Sequence, residues 1–529
     1  MEQLFAELNH IFSFVIPLSD FFWDFPTNIA WYKAIPVLGN FSLAVICLFG
    51  AGLFFTFRTG AIQITHFVSG IRLLAQRKSH EAGISALSAF LLSSAMRVGP
   101  GNILGVTGAI SVGGPGALFW MWVSATVGMA TAYGEAVLAQ IFKERKNDEF
   151  VGGLPFYGRK LLQDRKAVGI WLSLMYIIYA MCCIPAQGYN VVSSIVQMGS
   201  LILGTTLPTA GSTAIVISIL MIMLTAWIAF GGIRLVTRVT NRMVPVMAIL
   251  YLLTVLLLTL TNLDQLPYFF AAVFGGAFSP DAIFGGLFGT VLVQGVKRGL
   301  MSNEAGQGTI TMAAACADNR HPCEQGLVQS IGVFLDTWVI CSCTGFVVIM
   351  AHPWTGADSA AWMAMDKLPK FLASAKQLTP AASLETIVAL LICFCFCLFA
   401  FTCLVGMISF SEIAANRISR KAAVINTVRL TGVLIAAFGI CCSLAGIDLG
   451  NLWSISDLGN ILIVFTNVPL LMIGSNYILR ATRHFKAADG TLFTSTSIGW
   501  KSSDLWWDSA ENQPEADCLP NEQPVTEQV

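Results

Sequence analysis

Eleven apolar stretches punctuate the chain, near 40–58, 84–111, 116–141, 170–198, 214–231, 244–262, 282–300, 327–351, 386–407, 430–447 and 458–479. Each is long enough, as a helix rising 1.5 Å per residue, to cross a hydrocarbon layer roughly 30 Å thick. Inside a bilayer every backbone N–H and C=O needs a partner within the protein, so runs of this length read as helices. The expected fold class is an all-α integral membrane protein with eleven transmembrane helices. Composition agrees, since only 11% of the 529 residues are charged, against roughly 25% in soluble domains. A formal net charge of zero offers no basic surface for nucleic acid. Cysteines such as Cys182, Cys183 and Cys393 sit in apolar runs without zinc-site spacing and read as packing. No nucleophile–base pair stands out, so neither an enzyme nor a bound cofactor is expected, and no obligate protein partner is evident.

Basic residues orient the helices. Arg58, Arg72, Arg77 and Lys78, the cluster from Lys143 to Lys166, Arg234 to Arg242, Lys297, Arg298 and Arg320, Arg417 to Arg429, and Arg480 to Lys501 all fall on one set of alternate connections. The opposite set holds Lys33, Lys367, Lys370 and Lys376. The positive-inside rule then puts the N-terminus outside and the C-terminus in the cytoplasm, in a plasma membrane of the bacterial inner-membrane type, with lipid as the surrounding partner. Residues 1–39 are interrupted by Pro17, Asp20, Asp24 and Pro26 and rich in aromatics, as suits an interfacial segment outside a transporter domain at 40–483. The tail 484–529, acidic and proline-bearing from Lys501 onward, reads as a disordered cytoplasmic extension.

Two of the apolar runs are broken. The second carries SSAMRVGPGNILGVTGAISVGGPG from Ser93 to Gly116. Pro100, flanked by Gly99 and Gly101, lacks the N–H for an i→i−4 bond, so the helix is expected to open there and expose backbone groups to a cavity at membrane depth. The seventh, AIFGGLFGTVLVQGVKRGLMSNEAGQG at 282–308, holds Gly295, Gly299, Gly306 and Gly308 beside Lys297, Arg298, Asn303 and Glu304, read as a cytoplasmic gate or hinge. The two runs lie five helices apart, an odd number, as in inverted repeats that enter the membrane from opposite sides around a midplane site. Repeat one is expected at about 84–262 and repeat two at about 282–479. Arg97, Glu135 and Asp336 fall inside spans, where charge is costly, and Arg97 is expected to pair with one of the acids as a structural or gating pair.

The stretches RVGPGNILGV, GGPGALFWMW, YGEAVLAQIFK, GVKRGLMSNEAGQG, HPCEQGLVQSIGVFLDTWVICS and FTCLVGMISFSE resemble, in order, the signature regions of the alanine/glycine:cation symporter family of the amino acid–polyamine–cation superfamily. The resemblance implies a leucine-transporter-type fold, a 5+5 inverted repeat (helices 2–6 and 7–11) plus one peripheral N-terminal helix. It also implies symport of alanine, glycine or a similar small neutral amino acid with sodium. Proton coupling, a non-transporting amino-acid sensor and a channel are the alternatives.

For such a zwitterion, backbone N–H groups around Gly99, Gly101 and Asn102 suit the carboxylate, since a half-helix N-terminus carries partial positive charge. The resemblance places the cation at the carbonyls of Ala95, Val98 and Phe399 and at the side chains of positions 402 and 403. Thr402 keeps its hydroxyl there, but Cys403 replaces a second one, and a soft thiol is a poor sodium ligand. Met407 stands where the family usually has tryptophan, and Gln187 resembles the family's pocket glutamine.

Overall fold

The computed structural model describes residues 7, 10, 13–35, 38–75, 82–146, 149–205, 207–208, 211–278, 287–354, 359–487 and 491–509. Apart from a hairpin of β1 (Glu144–Lys146) and β2 (Glu149–Val151), its regular elements are helices. We number the principal helices α1 (Val15–Asp24), α2 (Leu43–Arg58), α3 (Ala86–Arg97), α4 (Gly101–Gly113), α5 (Gly116–Ile141), α6 (Lys166–Leu203), α7 (Ser212–Phe230), α8 (Gly232–Leu260), α9 (Leu266–Phe278), α10 (Leu287–Asn303), α11 (Thr311–Cys316), α12 (Pro322–Met350), α13 (Ala382–Ala415), α14 (Ala422–Leu444) and α15 (Leu449–Ala487).

Among the described residues, seven of these (α6, α7, α8, α12, α13, α14 and α15) are long and apolar enough to cross a membrane. The other four apolar runs also fall in helices: α2, the pair α3–α4, α5, and the pair α10–α11. The beginning of the seventh run, 279–286, lies outside the described residues.

Packing brings the two broken runs together. Helices α4 and α10 contact each other, and α5 is packed along both α10 and α12. Gly295 and Gly299 do not break α10, as the sequence suggested. A Cβ at Gly295 would overlap the Ala117 carbonyl and one at Gly299 the Ser124 hydroxyl, so these glycines let α10 lie backbone-close on α5. The break falls later, at 304–310, where Glu304, Gly306 and Gly308 take positive φ of 57°, 90° and 76°. α12 widens into a π turn over Phe334–Cys341, which turns Asp336 toward the first break.

Two further expectations are corrected. Lys297 and Arg298 do not face the end that holds the other bases. They point to the opposite end, 3.9 Å from Asp24 and Asp457 respectively, because α10 runs helically past them before it opens. The start of the tail is not disordered. Trp507 is fully buried with its indole N–H on the Gln140 carbonyl at 2.8 Å, and Leu505 and Ile498 are buried beside it. Apolar side chains that the acidic composition masked find a surface at the C-terminal end of the bundle. Residues 510–529, with most of the tail's acids, lie outside the described residues.

Candidate functional site

Between the two breaks lies a cavity of about 340 Å³, near the lower bound of roughly 300 Å³ for small-molecule pockets. Its floor is made by Met96, Arg97, Gly99, Pro100, Gly101, Ser302 and Glu304, and its wall includes Tyr179, Cys183, Gln187, Cys403 and Met407. Its mouth carries Ile16 and Asp20 from α1, Lys367, and Trp453 and Asp457 from α15, all at the N-terminal end of the bundle. These mouth residues were missed by the sequence reading, because α1 and the start of α15 carry no break or motif that marks them.

The first break is built by Pro100. Helix α3 ends at Arg97, and Val98 leaves helical geometry at φ −77°, ψ 87°. Met96 loses its i+4 donor because Pro100 has no N–H. Ala95 loses its own because the Gly99 N–H donates to Asn102 Oδ1 at 2.8 Å. The Asn102 N–H returns to the Gly99 carbonyl at 3.1 Å. Of the three donors assigned to a carboxylate, Gly99 and Asn102 are therefore consumed locally, and Gly101 stands at the cavity as the first residue of α4.

Asn102 faces away from the cavity. Its Nδ2 donates to Asp336 Oδ1 at 2.6 Å, and its carbonyl accepts from the Thr344 hydroxyl at 2.8 Å. It ties the break to the π turn of α12.

Arg97 makes no ion pair within 4 Å among the described residues, contrary to the expected pairing. Its Nε donates to the Asn303 carbonyl at 3.1 Å and its Nη1 to Gln329 Oε1 at 3.0 Å. The base at the first break thus holds the last carbonyl of α10 before the second. The expected acid partners are engaged elsewhere by neutral donors. Glu135 Oε1 accepts the Gly308 N–H at 2.7 Å and Asn467 Nδ2 at 2.6 Å. Asn467 Nδ2 also reaches the Gly306 carbonyl at 2.9 Å, so α5 and α15 together fix the unwound stretch. Asp336 takes the Ser302 hydroxyl at 3.0 Å and the Thr337 hydroxyl at 2.9 Å besides Asn102. Neutral donors meet both Asp336 oxygens and Glu135 Oε1 without a second charge to desolvate, and Glu135 Oε2 has no partner among the described residues.

The cation candidates lie just behind the cavity wall. The Thr402 hydroxyl is 2.9 Å from the Leu398 carbonyl and 3.2 Å from that of Phe399. Cys403 Sγ sits 3.7 Å from the Met96 carbonyl that Pro100 leaves free. Of the carbonyls released at Ala95, Met96 and Val98, that of Met96 meets the thiol on α13, while the Thr402 hydroxyl is turned back onto carbonyls of its own helix. Gln187 lines the cavity with a buried Oε1 that has no hydrogen-bond partner among the described residues, and Met407 lies against the same space.

The profile of the sodium:alanine symporter family matches residues 29–494. The amino-acid carrier protein AlsT of Bacillus subtilis is 33% identical over 472 residues, covering 88% of this chain and 95% of its own. The sodium/alanine symporter AgcS of Methanococcus maripaludis is 32% identical over 453 residues, 83% of this chain and 93% of its own. The crystal structure of MhsT in complex with L-phenylalanine superposes with a TM-score of 0.55 at 15% identity, over 77% of this chain and 93% of that one. At that identity the likeness carries the fold, which is of the leucine-transporter type. The chain accordingly belongs to the sodium:alanine symporter family, as a multi-pass membrane protein.

Proposed function

We propose that this protein is a secondary active transporter that imports a small neutral amino acid, alanine or glycine being the leading candidates, together with sodium. The observation that carries the reading is the meeting of two broken helices at one cavity, bridged by Arg97 to the Asn303 carbonyl. Broken helices in corresponding halves are how leucine-transporter-type proteins build a midplane site without lipid-exposed backbone. In this reading eleven helices cross the membrane, α2 is peripheral, and α3–α8 and α10–α15 form the inverted repeats. The N-terminus is outside and the C-terminus cytoplasmic.

The substrate carboxylate meets Gly101 and the positive end of α4, with Gly99 held in place by Asn102. Gln187, Cys403 and Met407 shape the side-chain space. Sodium lies against the carbonyls of Ala95, Val98 and Phe399 with the Thr402 hydroxyl. The mouth at Asp20, Lys367 and Trp453 corresponds to the outward-facing state of an alternating-access cycle. Cys403 favours a second reading, proton coupling, because a thiol stands where a further oxygen would complete the ion's shell.

Uptake of labelled alanine, glycine and serine into proteoliposomes, under a sodium gradient and then a pH gradient, decides between them. Sodium-driven accumulation is expected. Accumulation driven only by the pH gradient selects the second reading, and none under either gradient removes both.

A further inference from the structure

Three acids surround the two breaks, and they are not equally satisfied. Asp336 accepts from three side chains and Glu135 from a backbone N–H and an asparagine. Glu304, the first residue past α10 and the one of the three that lines the cavity, accepts a single side-chain bond, from the Thr309 hydroxyl at 2.6 Å. It is 6% exposed and has no ion-pair partner within 4 Å among the described residues. Glu135 also leaves Oε2 without a partner among the described residues, but it does not line the cavity; Glu304 does, and a carboxylate with about four acceptor sites has capacity there for a ligand. Arg97 also lines the cavity, but its Nε and Nη1 bind Asn303 and Gln329, and its Nη2 has no hydrogen-bond partner among the described residues, Glu304 included. The bases at the mouth, Arg298 and Lys367, stand with Asp20 and Asp457 instead.

We propose that Glu304 is the cavity's cation receptor, the carboxylate that takes a monovalent positive group beside the carbonyls freed at the first break. This rests on the transporter reading and names a residue which that reading leaves without a role. Two groups share the chemistry: the substrate's ammonium and the coupling ion. Glu304→Gln keeps an oxygen for Thr309 and removes the charge, whereas Glu304→Asp keeps the charge.

In proteoliposomes of the full-length protein, the Gln variant is expected to lose about tenfold or more in one of two constants. If the ammonium is the group, the alanine KM rises and the preference for L-alanine over L-lactate as a competitor collapses. L-lactate has the same carboxylate and no ammonium. If the ion is the group, the half-saturating sodium concentration rises and that preference stays. Glu304→Asp restores the affected constant in part. A Gln variant of unchanged melting temperature, with wild-type values for both constants, overturns the proposal. Absence of uptake by the wild type overturns the transporter reading instead.

A different observation carries a second inference. At the C-terminal end, Lys143 is enclosed by the rings of Phe150, Trp506 and Trp507, at 4.1, 4.7 and 4.8 Å. Its Nζ also donates to Gln140 Oε1 at 2.9 Å and to the Ala317 carbonyl at 3.0 Å. Ala317 directly follows α11, the far half of the second broken helix, so segment 491–509 closes over the residues that hold that half to α5. Trp500 packs on Phe142 and Tyr477, and Arg480 donates to the Ile498 carbonyl at 3.0 Å, tying the segment to α15 as well.

We infer that 491–509 is a strap that keeps the C-terminal end shut while the cavity is open at the other. The test is modification of the buried Cys316, at the end of α11, by a membrane-impermeant maleimide, resolved by peptide mass spectrometry. Trp507→Ala is expected to speed it several-fold and Trp507→Phe to leave it close to wild type. Limited proteolysis reports whether the segment has undocked, and the double variant Trp506→Ala, Trp507→Ala is used where the single one stays docked. An undocked segment with Cys316 modified at the wild-type rate overturns the inference.

Discussion

At the scale of single residues, Pro100 and Asn102 divide the work of the first break. Proline removes a donor, and the asparagine carboxamide re-occupies the Gly99 N–H while holding Asp336. Asn102→Ala strands both groups in a buried place, where each unmet partner costs about 1–3 kcal/mol. A clear fall in the melting temperature of the detergent-solubilised protein, together with reduced uptake, is the expected result. Cys403 makes a second residue-scale case. Threonine there would set a hard oxygen near the Met96 carbonyl in place of sulfur, now 3.7 Å away. An added ligand worth about 1 kcal/mol is roughly a fivefold change in affinity. Sodium titration of uptake by Cys403→Thr should therefore show a half-saturating concentration about fivefold lower, and an unchanged value would place residue 403 away from the ion.

At the scale of elements, small residues decide how close α10 lies to α5. Gly299→Ala would drive a methyl group into the Ser124 hydroxyl and the Met121 backbone. Overpacking of this kind costs roughly 1–3 kcal/mol, to be read as a lowered melting temperature. The C-terminal segment meets the bundle at His321, which precedes α12, and His484, in the last turn of α15. His321 Nδ1 accepts the Cys323 N–H at 3.1 Å, which leaves its proton on Nε2, 3.2 Å from His484 Nδ1. His484 Nε2 in turn lies 3.1 Å from the Thr491 hydroxyl, and Phe485 and Phe493 cover the pair. Burial, and then the neighbouring His484, lower His321 from its ordinary 6.5 to about 3. Undocking removes Phe493 from the His321 ring and lets that ring take a proton more readily, so docking is strongest above about pH 6.5 and weakens as the pH falls from there toward about 3. Proteolysis within 491–509 should quicken over that window. His321→Phe should flatten the dependence.

At the scale of the whole molecule, the arrangement of basic residues and the position of the mouth make one topological statement. Thr27, beside α1, and Ser502, in the docked segment, lie at opposite ends of the bundle. In intact cells, Thr27→Cys should react with an impermeant thiol reagent, and Ser502→Cys should react only after permeabilisation. The reverse pattern would invert the molecule and make the mouth at Asp20 and Trp453 an exit. Moving Lys297 and Arg298 to the mouth leaves the orientation argument standing, since Lys143, Arg159, Arg417 and Arg420 still crowd the other end.

Hydrophobic length and the proline–glycine interruption were legible in the chain, because a bilayer forbids unpaired backbone and so ties span and break directly to local composition. Among the described residues each of the eleven runs falls in helix, and the first break falls at Val98–Pro100. Partnership was not legible. Whether Arg97 met an acid or a carbonyl, whether Gly299 broke a helix or seated one, and whether Trp507 floated or docked all depended on which surfaces came together from residues far apart in sequence. Such contacts arise from packing geometry that no local pattern encodes, and tertiary structure alone decided them.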